Sequence, residues 1–187
     1  MVPLMQLWAP ILLSAFLVFV GSSLIHMVFK WHNSDYRKLP NEDEIRAAIR
    51  KGSPTPGQYH FPHCADPKEM QSPENVQKFT EGPVGLVYLI PNGVPNMGPM
   101  LGKWFAFNVL VSIFVAYVAG HALAVGAEYL RVFQIAGCVG FIAYAMGVIP
   151  GAIWMGKPRS VAMKEILDGL IYGLLTGGAF GWLWPKG

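Results

Sequence analysis

The sequence predicts an all-α membrane protein with four transmembrane helices and a small α+β polar insert between helices 1 and 2. Three observations carry that prediction. Apolar residues make up 53% of the 187 and charged residues only 13%, about half the charged share of an ordinary soluble domain. Four stretches are each long and apolar enough to cross ~30 Å of hydrocarbon, which takes about 20 helical residues. Between the first and second of them lies a polar segment, residues 33–102, in which the apolar period changes. The chain thus divides into 1–32 (first span), 33–102 (insert) and 103–187 (spans two to four).

The first span runs from about Leu7 to Phe29 without a charge. It has no basic leader and no Ala-x-Ala cleavage signal, and its apolar run is longer than that of a signal peptide, so it reads as a retained anchor. The second runs from about Trp104 to Val125. The third runs from about Leu130 to Ile149, where Pro150-Gly151 ends or kinks it. The fourth runs from about Ala162 to Trp184 and is closed by Pro185. All six tryptophans (Trp8, Trp31, Trp104, Trp154, Trp182 and Trp184) fall near span ends, as an interfacial aromatic belt requires.

Lysine and arginine set the orientation. Nine of the 14 lie from Lys30 to Lys103, and Lys157, Arg159 and Lys164 lie between spans three and four or at the start of span four, leaving Arg131 and Lys186 on the other side. The positive-inside bias therefore places the insert in the cytoplasm and both termini in the periplasm. The same distribution contains no basic run of the kind that grips nucleic acid.

Small residues recur at four-residue spacing along the later spans. Gly169, Gly173, Gly177 and Gly181 line one face of span four, Ala116, Gly120 and Ala124 one face of span two, and Ala143, Gly147 and Gly151 one face of span three. Such faces let backbones approach closely, within one chain or against a partner subunit or second copy. Span one carries less of this pattern and is expected at the periphery.

In the insert, Asn41 followed by Glu44 resembles a capping box, and the Glu42-Asp43-Glu44 run suits a helix N-terminus. A helix to about Lys51, ended by Gly52, follows. Gln58–Phe61 is a short strand candidate. Asp66-Pro67 and Ser72-Pro73 begin one broken helix or two short ones, over 67–79. Val84–Ile90, bounded by Gly-Pro and Pro-Asn-Gly, is the better strand.

Candidate chemistry is sparse. His60, His63 and Cys64 are ligand types for zinc, copper or iron, though their spacing follows no common zinc motif, and His26 or His32 is available as a further ligand. His26 and His121 lie in or at the ends of spans, where an ionisable group is costly and often functional. Each is a candidate axial ligand for a haem or a chlorophyll-type pigment, but the two fall near opposite membrane faces and do not share one. Asp168 is the deepest acid, and Lys164 is its (i, i+4) partner. Glu128 and Arg131 form a second, surface pair. Cys138 reads as a small packing residue. Phosphate-binding glycine loops, His-Glu-x-x-His and Gly-x-Ser-x-Gly are all absent.

The C-terminal third, with Ile153-Trp154-Met155-Gly156-Lys157-Pro158, Asp168-Gly169-Leu170-Ile171-Tyr172-Gly173 and Phe180-Gly181-Trp182-Leu183-Trp184-Pro185, resembles small bacterial four-span membrane proteins of unknown function. The end of span one, Ser22-Ser23-Leu24-Ile25-His26-Met27, is similar to theirs as well. The resemblance implies a bacterial inner-membrane protein and carries no activity with it. The expectation is a non-enzymatic accessory or assembly subunit of a larger inner-membrane complex, in contact with lipid and with other subunits or a second copy, and without a cofactor. The alternatives are a metal- or haem-binding membrane redox protein and a small transporter or channel.

Overall fold

The computed structural model describes residues 1–187. The chain forms two compact units, residues 1–36 with 96–187, and residues 37–95. The second is narrower than the 33–102 expected, because the chain just past the first span belongs to the helical unit and the second span begins early.

The helical unit holds the long apolar helices. Helix α1 (Trp8–Ser23) is extended by a 3-10 turn at Leu4–Leu7 and a widened π-type turn at Leu24–Val28. Three helices are long and apolar enough to cross a membrane, as in a multi-pass membrane protein: Leu4–Val28, Met97–Ala122 and Tyr129–Trp154. A fourth helix, Arg159–Trp182, is equally long but less apolar, because Lys164, Glu165, Asp168 and five glycines lie within it.

Span two corresponds to α4 (Met97–Ala122), whose first N–H groups are capped by the Asn96 side chain, with Gly98 N–H donating at 3.1 Å. Span three is broken. One helix ends at Ala145 and another runs from Val148 to Trp154. The interruption falls at Met146-Gly147, where the Pro150 ring would meet the carbonyl four residues earlier.

In the insert, α2 (Glu42–Lys51) has its acidic residues in the first turn and Arg50 and Lys51 in the last, which matches the helix dipole. The capping box does not form: Asn41 takes a left-handed conformation (φ 52°), and its carbonyl, not its side chain, receives the Glu44 N–H. Strands β1 (Gly57–Phe61) and β2 (Gly85–Leu89) pair antiparallel, with Tyr59 opposite Val87. Between them, α3 (Pro73–Glu81) starts with Ser72 capping Asn75 N–H, after a short turn at Glu69–Gln71.

The remaining helices are α5 (Tyr129–Ala145), α6 (Val148–Trp154) and α7 (Arg159–Trp182). Helix α7 runs antiparallel to α5 with its glycines inward. A Cβ on Gly169 would lie 2.7 Å from Ala145, on Gly173 2.8 Å from the Gly137 carbonyl, on Gly177 2.7 Å from the Phe133 carbonyl, and on Gly181 2.7 Å from the Tyr129 ring. The small-residue face is thus covered within the chain.

Helix α1 is not peripheral. It packs against both α4 and α7, with Leu7, Ala15 and Val18 fully buried. The close approach comes from its neighbour's small-residue face: a Cβ on Gly120 of α4 would lie 2.7 Å from the Val2 carbonyl, and buried Ser14 donates to Ser112 of α4 at 2.9 Å. Val2 N–H bonds the Gly120 carbonyl and Gly126 N–H the Pro185 carbonyl. Both termini therefore lie at the same end of this unit.

The tryptophans divide into two groups. Trp8, Trp154 and Trp182 face outward, and Trp31 partly so. Trp104 and Trp184 turn inward instead and tie helices together, Trp104 Nε1 donating to Ser22 Oγ (2.8 Å) and Trp184 Nε1 to the Ala124 carbonyl (2.9 Å). An indole N–H with a buried acceptor packs as core while satisfying its donor.

Candidate functional site

The densest polar constellation in the helical unit lies at the end opposite the termini. After the π-type turn that ends with Phe29 N–H bonding the Leu24 carbonyl, Lys30 takes a left-handed conformation (φ 53°). A non-glycine residue there is uncommon. The reversal leads into a 3-10 turn, Trp31–Ser34, and lays the His32 ring on His26, with centroids 4.5 Å apart and planes 20° from parallel.

His32 is held from both sides. Its Nδ1 is 2.6 Å from Asp35 Oδ2 and its Nε2 2.8 Å from Asp168 Oδ2. Asp35 in turn receives Lys164 Nζ at 2.6 Å, and the same ammonium donates to the Trp31 carbonyl (2.7 Å) and to Ser34 Oγ (2.8 Å). All three Lys164 donors are used. The Lys164 ammonium first, and His32 after it, hold the Asp35 carboxyl below the usual carboxylate range.

The expected Lys164–Asp168 pair does not form. The two residues lie one turn apart on α7, yet Lys164 reaches the turn after α1 and Asp168 reaches His32. Asp168 is 4% exposed, and its second oxygen, Oδ1, has no hydrogen-bond partner in the chain. Glu165 pairs with Lys157 at 2.6 Å.

This cluster borders a cavity of about 530 Å³, lined by His26, Asp168 and Glu165 and by the aromatic rings of Trp104, Tyr144 and Tyr172. The lining is mostly apolar with few polar groups, the usual composition of a ligand pocket. Tyr144 Oη is buried without a partner.

The other candidate residues are placed as follows. His121 is exposed at the last turn of α4, its Nδ1 2.7 Å from the Tyr117 carbonyl, one residue beyond the Gly120 that meets Val2 and so at the end of the unit opposite His26. His60 lies on β1 with Nδ1 2.8 Å from the Pro62 carbonyl, and Cys64 is half-buried. His60, His63 and Cys64 do not bring ligand atoms together; His26, His32 and Asp168 do, all within 4.8 Å of one another. Glu128 and Arg131 are joined through the backbone, Arg131 N–H to the Glu128 carbonyl at 3.0 Å. Cys138 is exposed on α5 rather than packed.

The sequence does not by itself join His32 to Asp168 or Asp35 to Lys164, since 136 residues separate the first pair and 129 the second. The one available signal was a histidine and an acid clustered directly after a span.

The insert presents a different feature. None of residues 37–95 is buried. Tyr88, Ile90, Val84 and Val94 are each more than half exposed. Seven basic side chains in this unit balance seven acidic ones, so its net charge is zero.

Comparison with known protein families, with curated proteins and with solved structures finds no match to this chain.

Proposed function

We propose that the chain is a non-enzymatic four-span membrane protein that serves as an accessory or assembly subunit of a larger bacterial inner-membrane complex and meets its partner through the insert. The observation that carries this reading is the insert's lack of any buried residue. A unit of this size needs an apolar core or an external cover, and its exposed Tyr88, Ile90 and Val84 supply the surface such a cover would bury. Its zero net charge favours a protein surface over an anionic lipid headgroup layer, which attracts basic segments.

The membrane arrangement rests on α7. Its glycines follow α5 from Ala145 to Tyr129, so if α5 crosses the bilayer α7 crosses the same thickness in the opposite sense. An even number of crossings agrees with both termini lying at one end. The lysine and arginine distribution puts that end in the periplasm and the insert in the cytoplasm.

The test is native purification of the full chain from its own membranes in mild detergent, with mass spectrometry of the intact assembly. A stoichiometric companion subunit is expected, released by Tyr88→Asp/Ile90→Asp in the insert. A monomer without companion, or an assembly indifferent to those substitutions, overturns the reading.

A further inference from the structure

The geometry points to a divalent transition-metal site of the zinc class formed by His26 Nε2, His32 Nε2 and the Asp168 carboxylate, with its open position facing the cavity. This site lies wholly within the helical unit and stands apart from the partner-binding role of the insert.

Four observations converge on it. First, the ligand atoms of His26, His32 and Asp168 lie within 4.8 Å of one another, although the three residues come from three separate places: the end of α1, the turn beyond it, and α7. In a tetrahedral zinc site with bonds of about 2.0–2.1 Å, neighbouring ligand atoms are about 3.3 Å apart. The His32–Asp168 pair at 2.8 Å opens by some tenths of an ångström, and the His26 ring, whose plane lies 20° from parallel to that of His32, turns so that its Nε2 points to the same centre.

Second, both imidazoles are oriented through their other nitrogen. His26 Nδ1 faces the Ser22 carbonyl at 3.1 Å, and a carbonyl only accepts, so the proton is on Nδ1 and the Nε2 lone pair is free. His32 Nδ1 faces Asp35 Oδ2 at 2.6 Å, the arrangement in which a carboxylate fixes the tautomer and raises the basicity of a metal-bound imidazole. Lys164 completes that outer layer by holding Asp35 from behind at 2.6 Å.

Third, with Nδ1 protonated, His32 Nε2 and Asp168 Oδ2 are two acceptors 2.8 Å apart. Two lone pairs at that distance repel unless a proton or a cation lies between them. Fourth, Asp168 is 4% exposed, and its Oδ1 has no partner in the chain. A buried carboxylate oxygen is costly to leave unpaired, and a metal ion supplies the missing partner. Two imidazole nitrogens and one carboxylate suit zinc, copper(II) or non-haem iron(II) and are a poor match for calcium or magnesium, which prefer all-oxygen sites. Three protein ligands leave a position for water or for a small ligand entering the 530 Å³ cavity.

The experiment uses the full chain in detergent micelles, stripped with a chelator and titrated with Zn²⁺, and in parallel with Co²⁺, whose d–d absorption reports coordination directly. One Zn²⁺ per chain and a four-coordinate Co²⁺ spectrum of nitrogen and oxygen ligands are expected. His26→Ala changes an exposed side chain and leaves the bundle folded. It should weaken Zn²⁺ binding by more than about 100-fold, beyond the ~10–100-fold that losing an outer-layer partner costs. Asp35→Asn should weaken it by about 10–100-fold, and His60→Ala/His63→Ala should leave it unchanged. Failure to take up one Zn²⁺ per chain overturns the proposal and leaves a bridging proton as the occupant of the His32–Asp168 pair. Binding that survives His26→Ala, or that is lost in the His60→Ala/His63→Ala variant alone, overturns it as well and moves the metal to the insert.

Discussion

Two adjacent glycines on α7, Gly177 and Gly178, offer a sharp test of the α5–α7 contact. A methyl group on Gly177 would lie 2.7 Å from the Phe133 carbonyl oxygen, 3.1 Å from Gly137 Cα and 3.1 Å from the Phe133 ring. The first distance is about 0.7 Å short of ordinary contact, which begins near 3.4 Å. The obstructing atoms belong largely to backbone, which cannot rotate aside as a side chain does. Relief requires α5 and α7 to separate along their length, loosening the neighbouring contacts at Gly173 and Gly181, and overpacking of this kind costs ~1–3 kcal/mol. On Gly178 the nearest atom to the added methyl is Tyr129 Oη at 3.9 Å. There Gly178→Ala simply replaces a flexible helical residue and should stabilise by roughly 0.5–1 kcal/mol. The two variants should therefore differ by about 1.5–4 kcal/mol in the same direction in every assay. The assay is equilibrium unfolding of the purified full chain by SDS titration in mixed micelles, read by circular dichroism. If Gly177→Ala is as stable as Gly178→Ala, the glycine face does not contact α5 and is free for another partner.

Three further outcomes follow from the same geometry. Because the Asp35 carboxyl is held below its usual range by Lys164 and His32, its contribution to stability is complete above the unfolded carboxylate value of about 3.9 and disappears as pH falls through its lower folded value. Unfolding measured from pH 7 downward should thus show Lys164→Met less stable than the parent near neutrality, with the gap narrowing only below about pH 4; a gap independent of pH would refute the clamp. Asn108 is completely buried in α4, and neither its amide nitrogen nor its oxygen has a partner in the chain. Asn108→Leu should stabilise by ~1–3 kcal/mol in the same titration, and destabilisation of that size would show that the amide is bonded. Cys64, half-buried in the insert, should react with a membrane-impermeant maleimide in inverted inner-membrane vesicles and not in right-side-out spheroplasts. The opposite result would reverse the proposed orientation.

The local features were legible in the sequence because they depend on neighbours in the chain. Long apolar runs marked the helices at Leu4–Val28, Met97–Ala122 and Tyr129–Trp154. The acidic run Glu42-Asp43-Glu44 and the stop at Gly52 marked α2, Ser72-Pro73 marked the start of α3, and valine, leucine and tyrosine between turn residues marked β2. The four-residue glycine rhythm placed a close-packing face on α7, since helical geometry alone puts those residues on one side. Proline 150 announced a break, which came at Met146-Gly147 because a proline ring acts on the carbonyl of the preceding turn.

What only the tertiary structure decided is which faces meet. Glycine spacing says nothing of whether the covering backbone is α5 or another subunit, and the scarcity of small residues in α1 suggested a peripheral helix, whereas its neighbours provide the small residues and α1 is packed by both α4 and α7. The polar cluster depended on the same choice. Lys164 and Asp168, one turn apart and oppositely charged, satisfy the local rule for an ion pair, but such a pair yields only ~0.2–0.5 kcal/mol on a helix. Once α7 lies beside α1, Lys164 finds three acceptors in the turn at Trp31–Asp35, and Asp168 finds His32. Partners more than 100 residues apart meet because packing of helix faces brings them together, and that packing depends on the shapes of both surfaces at once, which no single stretch of sequence contains.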